Sequence, residues 1–198
     1  MPGDINRYLN VSAAVWSTVV GVAVALVAAA VCYRYKGAVV AARVAGWLLL
    51  ADSIAVILVI TLFGRPAFES AGPFPNVSNW VPFRDINSEL HSELHNVNRA
   101  LGITNIVGNV ALFVPSGILA GLLFRPKWTA LLLAPVLSTG IEITQQQVGL
   151  SADIDDVILN TLGGVTGVAL ALLARRLTVR PPGAPDSSPL TAAHRNEQ

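Results

Sequence analysis

Charge and sulfur are what this 198-residue chain has least of: 13% charged residues, one cysteine and one methionine. A lone Cys32 cannot close an intramolecular bridge, which excludes a disulfide scaffold and leaves the redox compartment unread. So small a charged fraction, against roughly 25% in soluble domains, excludes a disordered chain and a charged coiled coil. The net charge is +1 and no basic stripe is interleaved with aromatics, so nucleic acid is not an expected partner. What the chain has instead is 53% hydrophobic residues and a mean hydropathy of +0.59. The bilayer is its solvent.

A span needs about 20 mostly apolar residues to cross a hydrocarbon core of about 30 Å. Five segments qualify: Val11–Val31, Val44–Phe63, Ile106–Phe124, Thr129–Val148 and Val157–Ala174. The fourth is the weakest, because its second half carries Glu142, Gln145, Gln146 and Gln147. The expected fold is therefore all-α, a polytopic membrane bundle of about five helices. The first span reads as a retained helix rather than a signal peptide, since its apolar run is long and only Arg7 precedes it. Val31 before Cys32 also argues against a lipoprotein site.

Basic residues set the expected orientation. With the N-terminus outside, the cytoplasmic side collects Arg34, Lys36, Arg43, Arg125, Lys127, Arg175, Arg176, Arg180 and Arg195, leaving Arg7, Arg65, Arg84 and Arg99 outside. The reading is a bacterial multi-pass membrane protein, N-out and C-in. It divides into an N-terminal span with its flanks (1–36), a membrane core (37–178) and a cytoplasmic tail (179–198). That tail, Pro- and Ser-rich, is too polar to build a core.

The outer loop, Gly64–Asn105, is too short to fold alone. Beyond Trp80 and Phe83, residues suited to the headgroup boundary, a helical period appears. Ile86, Leu90, Leu94, Val97 and Leu101 share one stripe, while Asp85, Glu89, His91, Glu93 and Arg99 take the rest. The spacing predicts an amphipathic helix over Asp85–Leu101, lying on the outer interface or across the bundle mouth. His91 and His95 share a face at i and i+4, but the Glu between them is at the wrong offset for a zinc-protease site. They read as a solvated pair.

Polar groups inside spans are costly and mark function by default. Asn105, Asn109 and Ser116 follow one face of the third span, and Pro115 there frees the carbonyl of Ala111 and predicts a kink. The fourth span contributes Glu142 with Gln145. Asp153, Asp155 and Asp156 then lead into the fifth, where Asp156 and Asn160 stand at i and i+4. Gly163, Gly164 and Gly167 extend much the same face and invite close helix approach. With N-out topology these groups fall at similar depth in the outer leaflet, with Asn109 and Asn160 level. One polar cavity shared by Asn109, Glu142, Asp156 and Asn160, topped by Asp153 and Asp155, is expected. The bland readings are interhelical glue for the two Asn residues and helix capping for the three Asp residues. Asp52, alone in the second span, reads as structural.

Three blocks in this stretch resemble the VanZ-like membrane proteins, a family named for a teicoplanin-resistance protein. They are Gly108-Asn109-Val-Ala-Leu-Phe113-Val-Pro115-Ser-Gly117, Ile141-Glu142-Ile-Thr-Gln145, and Asp153-Ile-Asp155-Asp156-Val-Ile-Leu-Asn160-Thr161-Leu-Gly163. Val81-Pro82-Phe83 resembles the family's upstream Pro-Phe element, so the likeness runs from Asn79 to Ala174. An Arg often placed before the acidic cluster is absent here, the stretch being Val148-Gly-Leu150-Ser151. The resemblance implies a membrane protein linked to resistance against antibiotics that act on lipid-linked wall precursors.

Three functions follow as expectations. The first acts on a lipid headgroup or lipid-linked envelope precursor, with Glu142, Asp153 and Asp156 as catalytic carboxylates. Asn109, Asn160, Gln145, Asp155 and Ser116 would bind. Glu142, Asp153, Asp155 and Asp156 are hard oxygen ligands suited to Mg²⁺ or Ca²⁺, though no nucleophile–base pair is visible. The second is a non-catalytic factor that binds membrane lipid or alters antibiotic access. The third, a proton-coupled transporter, is disfavoured by the lack of internal repeats.

Overall fold

A computed structural model of the chain describes residues 2–63, 78–91 and 96–178. The structure is a helical bundle: α1 (Pro2–Lys36), α2 (Ala38–Leu58, continued by a π-helical turn Val59–Phe63), α3 (Arg84–His91), α4 (Asn96–Leu123), α5 (Lys127–Gln147) and α6 (Ile154–Thr178). The expected unfolded tail, His95 and residues 64–77 and 92–95 of the outer loop lie outside the described residues.

Four helical segments are long and apolar enough to cross a membrane: Val15–Lys36, Ala38–Leu62, Gly102–Leu123 and Ile154–Leu177. They coincide with four of the five expected spans. The fifth, α5, has 21 residues and is too polar for hydropathy to single out. Connectivity identifies it. A Cβ on Gly163 would strike the carbonyl of Val110, one on Gly167 that of Val114, and one on Gly121 would press on Ala171. α4 and α6 therefore run parallel. The chain leaves α4 at one end and begins α6 at the other, so α5 must return through the whole thickness. At about 1.5 Å per residue a helix of that length covers about 31 Å, the depth of the hydrocarbon core.

The same glycines explain the packing. No hydrophobic force draws helices together in lipid, so association rests on close backbone approach. Gly163 and Gly167 on α6 lie against the α4 backbone at Val110, Val114 and Gly117, while Gly117 and Gly121 on α4 lie against Gly164 and Val168 of α6. Apolar side chains fill the rest in two layers, Ile57, Phe113, Ala134 and Ile141 in one and Ala120, Ala130 and Val168 in the other. α2 lies antiparallel to α4, with Trp47 stacked on Phe124 at 5.5 Å at one end and Ile57 beside Phe113 further along. α1 returns against α2 through Gly37, whose φ of 85° suits glycine. Asp52 lies against Gly21 of α1, where any Cβ would collide with its carboxylate. It is a packing group of the α1–α2 hairpin.

The helix expected over Asp85–Leu101 is not one helix. α3 ends at His91 and α4 begins at Asn96, so Val97 and Leu101 belong to the first turns of a spanning helix. The stripe ran on because two helices happened to continue its period. α3 is amphipathic, but no residue of it is buried, and Glu89, expected on the outer surface, faces α4. A Cβ on Gly102 would meet the Glu89 Cβ at 2.7 Å. α4 itself runs through Pro115 as a single helix.

Candidate functional site

The three aspartates at the head of α6 do three different jobs. Asp153 caps its own helix, its Oδ1 accepting from the Asp155 N–H at 2.9 Å, which satisfies one of the free donors of a first turn. The same oxygen accepts from Asn79 Nδ2 at 3.0 Å. Asn79 is held alongside by a short parallel pairing: its N–H donates to the Ala152 carbonyl at 2.8 Å and its carbonyl accepts from Ile154 N–H at 3.0 Å. Its side-chain oxygen also accepts from Val81 N–H at 3.1 Å, an Asx turn.

Asp155 caps another helix, α3. The Val81–Arg84 turn closes with Arg84 N–H donating to the Val81 carbonyl at 3.3 Å. Pro82 at its second position and Phe83 at its third, with φ of 65°, give a type II turn. A non-glycine in that region carries strain, and the bond it directs supplies the compensation. Phe83 N–H donates to Asp155 Oδ1 at 2.5 Å. Asp85 and Ile86 N–H donate to Oδ2 at 2.8 and 3.1 Å. A helix of eight residues cannot hold itself in water; one buried carboxylate, 2% exposed, anchors its start.

Asp156 faces α4, accepting from Asn109 Nδ2 at 2.6 Å. Glu142, 3% exposed, accepts the Asp153 N–H on Oε2 at 2.7 Å and so ties α5 to the entry of α6. One turn deeper, Asn160 Nδ2 donates to Ser138 Oγ at 2.8 Å. α5 and α6 are antiparallel, with Ala134 against Gly164 and Ser138 against Asn160. The next step of four residues on each helix places Glu142 opposite Asp156. Gln145 turns toward α2, its Nε2 donating to the Thr61 carbonyl at 2.9 Å. That carbonyl lies in the π turn, where the main-chain ladder is disturbed. Gln145 Oε1 and Asn160 Oδ1 are buried and accept nothing from the described residues.

The end of the bundle so built is acidic. Asp85, Glu89, Glu142, Asp153, Asp155 and Asp156 gather there. Burial against α4 raises the Glu89 carboxyl above its ordinary range; the Asn105 amide, at 3.4 Å, pulls it back, and repulsion from Asp156, Asp85 and Asp153 adds to the rise. Burial raises Asp153 too. The Asp155 N–H and the Asn79 amide oppose that rise, while the charge of Asp85 and a hydrogen bond shared with its carboxyl reinforce it.

Of the expected residues, Asn109, Glu142, Asp153, Asp155, Asp156 and Asn160 are brought to neighbouring positions in α4, α5 and α6. They form two layers rather than one. Asn109 is level with Asp156, and Asn160 lies a turn below, because α6 begins at Ile154, ahead of the hydropathy boundary at Val157. Ser116 is not part of the group; two turns below Asn109, its hydroxyl donates to the Phe113 carbonyl of its own helix at 2.9 Å. The expected metal set is not assembled either. Among the described residues no three His, Cys, Asp or Glu side chains are grouped to hold one ion, because these carboxylates are turned to separate backbone and amide donors. His91 is exposed, its ring Nδ1 3.0 Å from the Asn87 carbonyl. Sequence reasoning missed Asn79, Ser138, Asp85 and Glu89. For Asn79 the signal was its place in a turn; for Ser138 it was the step of four to Glu142.

A family model described as VanZ/LLP1 matches residues 49–175, a stretch that contains α4, α5, all but the last turn of α6, the Pro82–Phe83 turn and every residue of this group. No curated protein and no solved structure matches the chain.

Proposed function

The chain belongs to the VanZ/LLP1 family of membrane proteins, and on that premise we propose that it binds the polar end of a lipid-linked envelope component at the outer leaflet and thereby contributes to glycopeptide resistance. The orientation follows from charge. Arg34, Lys36, Arg43, Arg125, Lys127, Arg175 and Arg176 lie at the end away from the acids, which is the cytoplasmic end by the positive-inside rule. The acidic end then opens outward, on a bacterial cell membrane, with the N-terminus outside. Reporters fused after Lys127 and Arg176 that scored extracytoplasmic would contradict this orientation.

The observation that carries the binding reading is the pair of buried amide oxygens on Gln145 and Asn160 that have no partner among the described residues. An unmet buried acceptor costs about 1–3 kcal/mol, so such atoms call for a donor from outside the protein. Their neighbours Glu142, Asp153, Asp155 and Asp156 are acceptors as well. A site made of acceptors suits a ligand rich in donors: sugar hydroxyls, peptide amides or an amine on a lipid carrier. An anionic headgroup without such donors would be repelled.

One feature favours a catalytic role beside binding. Burial, reinforced by the charge of Asp85, raises the Asp153 carboxyl at the mouth of the site, which suits it to carry a proton to a leaving group. The two readings separate on mutation. Glu142→Gln and Asp156→Asn should each abolish teicoplanin protection in a sensitive host while leaving membrane expression unchanged. Protection that survives both substitutions would refute the site. Asp85→Asn should leave protection intact for a binder and remove it for an acid catalyst.

A further inference from the structure

The opposite end of the bundle carries a cavity of about 810 Å³ lined by Arg43, Arg125 and Arg175 together with Val39, Trp47, Leu122, Leu123, Phe124 and Thr129. We infer that it holds the phosphate of an anionic membrane lipid, with the acyl chains lying along Trp47, Phe124 and Leu122. Three guanidinium groups converge from α2, the α4–α5 turn and the end of α6, and among the described residues no Asp or Glu lines the space with them. Along each helix the nearest described carboxylate is distant: Asp52 is nine residues from Arg43, Glu142 seventeen from Arg125 and Asp156 nineteen from Arg175. At about 1.5 Å per residue those gaps are about 13, 25 and 28 Å.

Lys127 is turned away, its ammonium donating to the Gly121 and Phe124 carbonyls at 2.6 and 2.8 Å, which caps α4. Arg175 reaches α4 through the Leu122 carbonyl at 3.3 Å. Arg43 and Arg125 are exposed. Guanidinium forks match phosphate oxygens in pairs, which an ammonium cannot do.

The rest of the lining selects the source of the phosphate. Five of the nine lining residues are apolar, and the Trp47–Phe124 stack forms a flat wall between them. Spanning segments end at this level, at Lys36, Leu123 and Leu177, and another begins at Ala38, so the cavity sits at the headgroup boundary. A soluble phosphate would use the arginines and leave that wall bare. A lipid uses both, as basic pockets between membrane helices do.

The test uses the full chain purified in mild detergent, with lipid retention read by native mass spectrometry. Phosphatidylglycerol and phosphatidylcholine are offered in equal amounts, and inorganic phosphate is added in a separate arm. Phosphatidylglycerol should be retained over phosphatidylcholine by about tenfold or more. The double variant Arg43→Gln, Arg125→Gln should lose that preference, and millimolar phosphate should not displace the lipid. Should the double variant fail to fold, Arg125→Gln alone, on an exposed turn, should lower the preference about threefold or more. Equal retention of the two lipids, an unchanged preference in the variant that folds, or displacement by phosphate would each overturn the assignment.

Discussion

Replacing Asp155 by Ala removes the acceptor of three backbone N–H bonds, from Phe83, Asp85 and Ile86, made at 2.5–3.1 Å. Hydrogen bonds to a charged group contribute about 1.5–3 kcal/mol each when one partner is deleted in a dry site. At the mouth of the bundle water can reach the freed donors once α3 lifts, so the three do not add. About 2–4 kcal/mol for docking α3 is the figure the geometry supports, at and above the top of the range for single helix-cap deletions, since three bonds are lost. The amide hydrogens of 83–91 report this directly. Hydrogen exchange over that peptide should accelerate about 30- to 700-fold in the variant, at about 1.4 kcal/mol per decade. Exchange across Val157–Leu172 should stay within a few-fold of the parent, because α6 keeps its own cap on Asp153. Protection over 83–91 that changes less than about threefold would refute the anchoring role. A collapse of α6 protection would show instead that Asp155 supports the bundle itself.

Gly167→Val drives a side chain into the Val114 carbonyl and the backbone of Gly117, so folded material in detergent should fall severely, read by size-exclusion chromatography. Ser138→Ala with Asn160→Leu replaces a buried polar pair by apolar groups, which membrane interiors tolerate; thermal stability should hold or rise while teicoplanin protection is lost, and retained protection would reduce the pair to interhelical glue. Asp85→Asn relieves Asp153 of a like charge. A carboxyl whose folded pKa is raised gives stability that is full at acid pH and lost as pH climbs through the raised value. The variant should therefore melt higher than the parent near neutrality, with the gap closing as pH falls into the ordinary carboxylate range; a pH-independent gap would contradict the repulsion of Asp153 by Asp85.

The spans were readable because apolar runs of that length have one use, and α5 was readable only as a polar variant of that pattern. Its place came from the parallel run of α4 and α6, which no local window contains. Polarity within apolar segments also marked Asn109, Glu142, Asp156 and Asn160. What it could not give was who meets whom. That depends on the antiparallel register of α5 and α6, on helix α6 starting at Ile154, and on a turn at Val81–Arg84 contributed from 70 residues upstream. Asp155 shows the limit best. From sequence it is one of three acids at a helix start, and capping α6 was the natural reading. Only the structure shows it turned to α3. Ser116 failed for the converse reason: it shares the Asn109 face but lies two turns deeper, and a buried hydroxyl satisfies itself on its own helix.

The central claim is that the acceptors around Glu142 and Asp156 receive a donor-bearing ligand from the outer leaflet. An experimental structure of the chain in nanodiscs made from bacterial envelope lipid tests it most directly. The account predicts non-protein density within hydrogen-bonding distance of Gln145 Oε1 or Asn160 Oδ1, continuous with a headgroup at Glu142 and Asp156. Both amide oxygens bonded to protein groups, with Glu142 and Asp156 enclosed by side chains and no density between α4, α5 and α6, would contradict it.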